Sequence, residues 1–279
     1  MAEPTIPWPV IWPHLQPLLV AVAATCRQRR TSNLLLTLCV GLLQALGRHT
    51  LSQVLVGLGR GEGDWSAAYR LFSQARLDLA AGQRAVLARL LTLLPAEQPF
   101  VVVLDGTQLS RTSRRFVGVG WRGRLVQRDP SFWLVSAVNG ENGEWVSPLP
   151  VAELLSWAWQ RWEVEVMHRE LKSGFGLGEQ QAWSPVAAVL VIQWVVWVYA
   201  CLVLAGFLAW GWEQRGGGPR WWRGRRWTAR SVAQQVRREL WDLEAVTFSP
   251  VWIRIPPTPT EMTAPSLPVT TPALLARRI

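Results

Sequence analysis

The segment 185–212 constrains the fold of this chain more than any other, because it contains no charged residue. By length and hydropathy it meets the criterion for a helix that spans a membrane. Trp194, Trp197 and Trp210 are spread along the segment, whereas the aromatic residues of membrane spans collect at the two lipid interfaces. The whole chain holds 19 tryptophans, which raises the local hydropathy. We therefore predict a helix buried in a protein core, and a membrane span stays the alternative.

Composition indicates the partner and the compartment. Lys and Arg number 29 against 19 Asp and Glu, which gives a formal net charge of +10. This excess favours a polyanionic partner, either nucleic acid or an acidic membrane surface. Cys26, Cys39 and Cys201 lie in apolar surroundings without the spacing of a metal site. Such cysteines are typical of reduced core residues in a cytoplasmic protein.

Residues 161–181 place one carboxylate within a row of cations. At about 100° per residue, a helix over this stretch brings four side chains onto one face. They are Arg161, Glu165, His168 and Lys172. Glu163 and Glu170 fall on the opposite side, so this face differs from that of a uniformly charged helix. A carboxylate beside these cations stays ionised, and the cations attract polyanions.

The spacing in this stretch resembles a known signature. Arg161 is followed by Glu165, Lys172 and the run GLGEQQ. This order is similar to the pattern of DDE transposases of the type-4 insertion-sequence group, which is Tyr, two residues, Arg, three residues, Glu, six residues and Lys. The chain departs from the pattern at Ala158, which stands in place of the tyrosine. The resemblance covers residues 15–245.

A second acidic residue follows an apolar run. Residues 100–104 are all apolar and predict a strand buried on both faces, after which Asp105 meets Gly106 where the chain turns. An aspartate before glycine more often satisfies nearby backbone amides than it binds a metal. The resemblance at residues 161–172 reverses that preference and makes Asp105 the expected first catalytic carboxylate.

The resemblance implies an α/β fold, in which an all-helical N-terminal bundle that contacts transposon DNA precedes an RNase H-like catalytic core. It implies metal-dependent hydrolysis at the ends of a mobile element, followed by attack of the freed 3′ hydroxyl on target DNA. Asp105 and Glu165 would hold Mg²⁺ or Mn²⁺. The DNA contacts would come from Arg161, His168, Arg169 and Lys172.

The middle carboxylate of such a site is missing from the pattern. Two-metal phosphoryl chemistry needs three carboxylates, and no acidic residue between Asp105 and Glu165 follows a buried strand. We predict that a segment has been lost near residues 121–130 and that the chain is defective in DNA cleavage. The alternative is that Asp129 serves as the middle ligand, although Pro130 beside it suits a surface turn better.

Five parts are predicted along the chain. They are an irregular N-terminus at 1–14, a helical bundle at 15–94, the shortened core at 95–212, an Arg- and Trp-rich linker with a C-terminal helix at 213–247, and a disordered tail at 248–279. Some arginines of the bundle could face DNA phosphate, although scattered arginines are more often only solvated. These are Arg48, Arg60, Arg70 and Arg76.

Three functions of different classes follow. The first is a cytoplasmic transposase relative, defective in catalysis, that binds transposon ends and target DNA and could pair with a second copy. The second is a non-catalytic DNA-binding remnant. The third is a small membrane protein anchored by residues 185–212, and the scattered tryptophans make us favour the first two.

Overall fold

A computed structural model of the chain describes residues 9–93, 150, 152, 155, 162–182, 184–211 and 227–246. The helices in this part are α1 (Trp12–Ala23), α2 (Arg29–Gln44), α3 (Leu51–Gly57), α4 (Ser66–Ser73), α5 (Leu79–Leu91), α6 (Trp162–Gly174), α7 (Pro185–Trp210) and α8 (Ala229–Val246).

The fold class predicted from the sequence, α/β with an RNase H-like core, is wrong for the described structure. Helices take up 73% of the described residues, and no strand occurs among them. The apolar helix α7 packs against helices of the N-terminal bundle. The predicted strand at 100–104 lies outside the described residues, as do Asp105 and Asp129.

Helix α7 is the centre of the fold. It packs against α1, α2, α4, α5, α6 and α8, because apolar side chains surround its whole circumference and each side needs a cover. Trp194 is fully buried, with its ring centroid 5.4 Å from that of Phe72 and its indole N–H donating to Cys39 Sγ at 3.3 Å. Each such large side chain contributes about 1.5–3 kcal/mol to folding. The predicted helix is therefore present, although Val186 and Val189 near its start are exposed.

Length and composition alone would let α7 cross a membrane, and half of its most apolar window is buried inside the fold. The cysteines around it behave as core residues, since Cys39 and Cys201 are buried and all three thiols are unbridged. Burial raises the pKa of the Cys201 thiol to about 12.

A glycine lets α5 approach α7 closely. The Cβ atom of an alanine at position 82 would lie 2.4 Å from the ring of Trp197, well inside van der Waals contact. Trp197 is buried against this gap in α5. The contact therefore depends on the absence of a side chain at Gly82.

Two side chains of α8 form hydrogen bonds with the start of α1 and the end of α2. The buried Glu239 carboxylate accepts hydrogen bonds from the backbone N–H groups of Val10, Ile11 and Trp12, at 2.7–3.0 Å. The Arg237 guanidinium donates to carbonyls at the C-terminal end of α2, at 2.7 and 2.9 Å. An anion at a helix N-terminus and a cation at a C-terminus both complement the helix dipole. Because of the Glu239 cap, α1 begins at Trp12, inside the stretch expected to be irregular.

Local caps set several other helix boundaries. The hydroxyl of Thr50 accepts from the Gln53 N–H at the start of α3, and Thr228 caps the start of α8 in the same way. The segment after Asp64 forms two helices, α4 and α5. The chain breaks at Ala75, whose φ is +50°, and restarts where the Asp78 carboxylate accepts from the Ala81 N–H.

Candidate functional site

Helix α6 carries the predicted acidic residue and is anchored along one side. Leu171 is buried, and the ring of Phe175 packs edge-on against Tyr199 of α7 with centroids 5.3 Å apart. The Tyr199 hydroxyl donates to Glu170 at 2.6 Å. Burial and this hydrogen bond raise the pKa of Tyr199 far above its usual range, so the hydroxyl stays a donor. Packing onto α7 thus fixes the second half of α6.

The predicted site residues on α6 lie beside this anchored side. Glu165 and His168 are half-buried, and Arg169 and Lys172 are exposed. All four fall within one helix, so the structure brings them together on neighbouring turns. Arg161, predicted to share their face, lies outside the described residues. The assignment of catalytic and DNA-binding roles to these side chains stays a prediction.

The described residues do not fit a metal centre by themselves. Within them, no group of three His, Cys, Asp or Glu side chains could hold a metal ion. Glu165 is the one member of the predicted carboxylate pair that the structure describes, because Asp105 lies outside this part of the chain. A hard divalent cation needs several oxygen ligands, which Glu165 alone does not supply.

The GLGEQQ run after α6 wraps around His49, in the turn between α2 and α3. The His49 backbone N–H donates to Glu179 Oε2 at 2.7 Å, and the Gln180 side-chain amide donates to the His49 carbonyl. Gly176 has a φ of +65°, and a Cβ atom there would lie 2.4 Å from His49 Cβ. The motif therefore needs glycine both for its backbone angle and for its close approach to His49.

The His49 imidazole is buried and neutral near pH 7. Burial lowers its pKa, the Glu179 carboxylate 3.9 Å from Nδ1 opposes that shift, and Arg237 adds to it. Its Nε2 atom is buried and has no hydrogen-bond partner among the residues that the structure describes. Sequence reasoning missed His49, because nothing in its neighbourhood marks a contact with a residue 130 positions away.

The N-terminal bundle exposes many arginines. They are Arg27, Arg29, Arg30, Arg48, Arg60, Arg70, Arg76, Arg84 and Arg89. Across the described ranges, none of them forms an ion pair with a carboxylate. Two of the nearby acids, Asp64 and Asp78, accept hydrogen bonds from backbone N–H groups at helix starts. The bundle surface is therefore strongly cationic and suited to a polyanion.

Comparison with known proteins gives one match. A sequence model of the family described as DDE superfamily endonuclease matches residues 21–175, more than half of the chain. The matched range begins within α1 and ends just after α6, so it includes both Asp105 and Glu165. No curated protein and no solved structure gives a significant match.

Proposed function

Because this chain belongs to the DDE superfamily endonucleases, we propose that it is a transposase relative of the type-4 insertion-sequence group that binds DNA but is defective in cutting it. DNA is the substrate of this family, and its members use divalent metal ions. The finer assignment rests on the spacing of Arg161, Glu165 and Lys172. In this proposal the protein is cytoplasmic and acts on the ends of an insertion sequence and on target DNA.

The cationic surface of the bundle carries the DNA-binding part of the proposal. An exposed arginine without a carboxylate partner can replace a counterion on a DNA phosphate, and the released counterions drive binding. Arg48 and Arg60 follow α2 and α3, respectively, and both are exposed. Such turn residues can reach a phosphate without displacing any packed side chain.

The defect in catalysis rests on the carboxylates. Asp105 and Glu165 are the proposed metal ligands for Mg²⁺ or Mn²⁺, and the sequence supplies no third carboxylate at the end of a buried strand. Without the middle ligand, in-line displacement at phosphorus lacks the clamp on its attacking and leaving oxygens. Arg161, His168, Arg169 and Lys172 would keep contacting DNA phosphates in such a protein.

DNA binding is tested by fluorescence anisotropy with a labelled duplex that carries an element end. We expect an affinity that falls steeply with salt, and a slope of log K against log salt that becomes shallower by about 1 for each lost phosphate contact. The test variant changes Arg48 and Arg60 to Gln, and the matched control changes Arg230 and Arg238 of α8 to Gln. Equal slopes for the two double variants would refute the assignment of the bundle surface.

Cleavage is tested separately on the same duplex with Mg²⁺ or Mn²⁺. We expect no nicking by the natural chain. Nicking that disappears in Glu165→Gln would instead show an active enzyme and overturn the proposed defect. Sedimentation velocity with the duplex measures whether one or two copies bind, since a second copy is a further proposed partner.

A membrane protein anchored by residues 185–212 is the second candidate. It is favoured by α7, which is long and apolar enough to span a bilayer. In the structure six other helices pack against α7, which favours a buried core helix. Partitioning of the protein with membranes after carbonate extraction would support the membrane assignment instead.

A further inference from the structure

The turn after α6 grips both peptide groups of a single residue in the bundle. The His49 N–H donates to the Glu179 carboxylate, and the His49 carbonyl accepts from the Gln180 side-chain amide. His49 is buried, so a shift of this turn would leave two backbone groups without partners and away from water. The two side chains therefore act as a clamp, which we name the His49 clamp.

The backbone of the turn is shaped for the same contact. The Glu179 N–H donates to the Gly176 carbonyl at 2.9 Å, which closes the turn. Gly176 and Gly178 have φ angles of +65° and +94°, which favour glycine. Any side chain at position 176 would also collide with His49. Shape, backbone angle and hydrogen bonds thus all direct the turn onto one residue.

The His49 clamp gives α6 a second attachment point. The first is the packing of Leu171 and Phe175 and the hydrogen bond of Glu170, all directed at α7 or the core. Helix α6 also contacts α8. The clamp adds an attachment of its C-terminal end to the turn between α2 and α3, and so limits any pivot of α6 about the other contacts.

The consequence reaches Glu165 because α6 acts as a lever. At 1.5 Å per residue, Glu165 lies about 9 Å along α6 from Leu171, which packs the helix onto the core. A tilt of about 10° about Leu171 would move Glu165 by about 1.5 Å. Binding and catalytic geometries fail at displacements of about 1 Å. The clamp therefore controls a displacement large enough to matter for any role of this carboxylate.

We propose that Glu179 and Gln180 are positioning residues, which fix the direction of α6 and the location of Glu165 relative to the DNA-binding bundle. The importance of Glu165 rests on the proposed function, whereas the positioning itself does not. Loss of the proposed DNA binding would therefore leave the clamp testable, and failure of the clamp would leave the DNA-binding test unaffected.

The test measures the distance between two spin labels by pulsed electron paramagnetic resonance, with the full chain and no DNA. The labels replace two exposed residues, Glu163 near the start of α6 and Gln53 in α3, in a chain that also carries Cys26→Ser. We expect Gln180→Glu, whose carboxylate would face the His49 carbonyl, to broaden or shift the distance distribution by about 2 Å or more. The matched control Gln181→Glu changes an exposed neighbour and should leave the distribution unchanged.

A second pair of variants decides the question if Gln180→Glu does not fold. Glu179→Ala removes the acceptor for the His49 N–H, and Glu179→Gln keeps an oxygen in its place. We expect the alanine variant to broaden the distribution and the glutamine variant to restore it. A folded Gln180→Glu with the natural distribution, or a Glu179→Ala as narrow as the natural chain, would overturn the proposal.

Discussion

Replacement of Glu239 should reveal how strongly α8 supports the N-terminal helix. Its carboxylate is fully buried and receives the backbone N–H groups of Val10, Ile11 and Trp12 together with the Gln235 side-chain amide. Glu239→Ala leaves the buried Ile11 N–H without an acceptor, at a cost of about 1–3 kcal/mol. The lost charge at the helix N-terminus adds up to about 2 kcal/mol. We expect the free energy of unfolding to fall by about 1–5 kcal/mol in total.

The isosteric Glu239→Gln separates the two contributions. It keeps the side-chain volume and one oxygen acceptor but removes the charge, so a loss of about 1–2 kcal/mol is expected. Asp242→Asn, at an exposed position of the same helix, is the control and should change stability by less than about 0.5 kcal/mol. Urea unfolding followed by far-ultraviolet circular dichroism gives these values from the midpoint at constant m. A loss below about 1 kcal/mol in Glu239→Ala, or equal losses in both Glu239 variants, would refute the reasoning.

Three further changes test other contacts. Gly82→Ala should lower the free energy of unfolding by about 1–3 kcal/mol, because the new Cβ atom would collide with Trp197. The control is Gly57→Ala, where a Cβ atom would meet no other atom of the described residues within 4 Å, and it should be neutral or slightly stabilising. Thermal melts measure both variants. Arg237→Met should lower the free energy of unfolding in urea by about 1.5–3 kcal/mol, because two carbonyls at the end of α2 lose a charged donor. An unchanged free energy would show that these hydrogen bonds do not stabilise the fold. Burial lowers the pKa of His49 below its ordinary value of 6.5, so the unfolded chain binds the proton more tightly. The contribution of His49 is therefore present above pH 6.5 and is lost as pH falls towards the folded-state pKa. In His49→Asn, the free energy of unfolding should fall less steeply as pH decreases. Equal slopes of this free energy against pH in the natural chain and in His49→Asn would rule out the contribution of His49.

Helices whose signals lie within a few residues were predictable from the sequence. The caps at Thr50 and Thr228 act on amides three residues further along, and the apolar spacing of Val232, Val236 and Leu240 matches the buried face of α8. Helical periodicity also predicted a helix that carries Glu165, His168 and Lys172, and all three lie within α6. Each of these predictions needed only the geometry of a single helix.

The fold class could not be read in the same way. The residues of α7 are apolar on all sides, which indicates that the helix is covered. This pattern does not reveal whether a sheet or other helices cover it. The cap at the start of α1 comes from a residue 229 positions away in the chain. The His49 clamp could not be predicted either, because the glycines of GLGEQQ indicate a turn but not that His49 contacts it. Long-range pairs of this kind leave no periodic signal.

The position of Glu239 sets the order in which the chain can be assembled. During synthesis, α1 and α2 leave the ribosome long before α7 and α8, which later cover them and bind their ends. Until residue 239 is available, the start of α1 lacks its acceptor and the apolar faces of the early helices stay uncovered. Late closure of such distant contacts slows folding and favours association between nascent chains. We therefore expect chaperone dependence during expression, with stalled chains that lack α8 accumulating in the insoluble fraction.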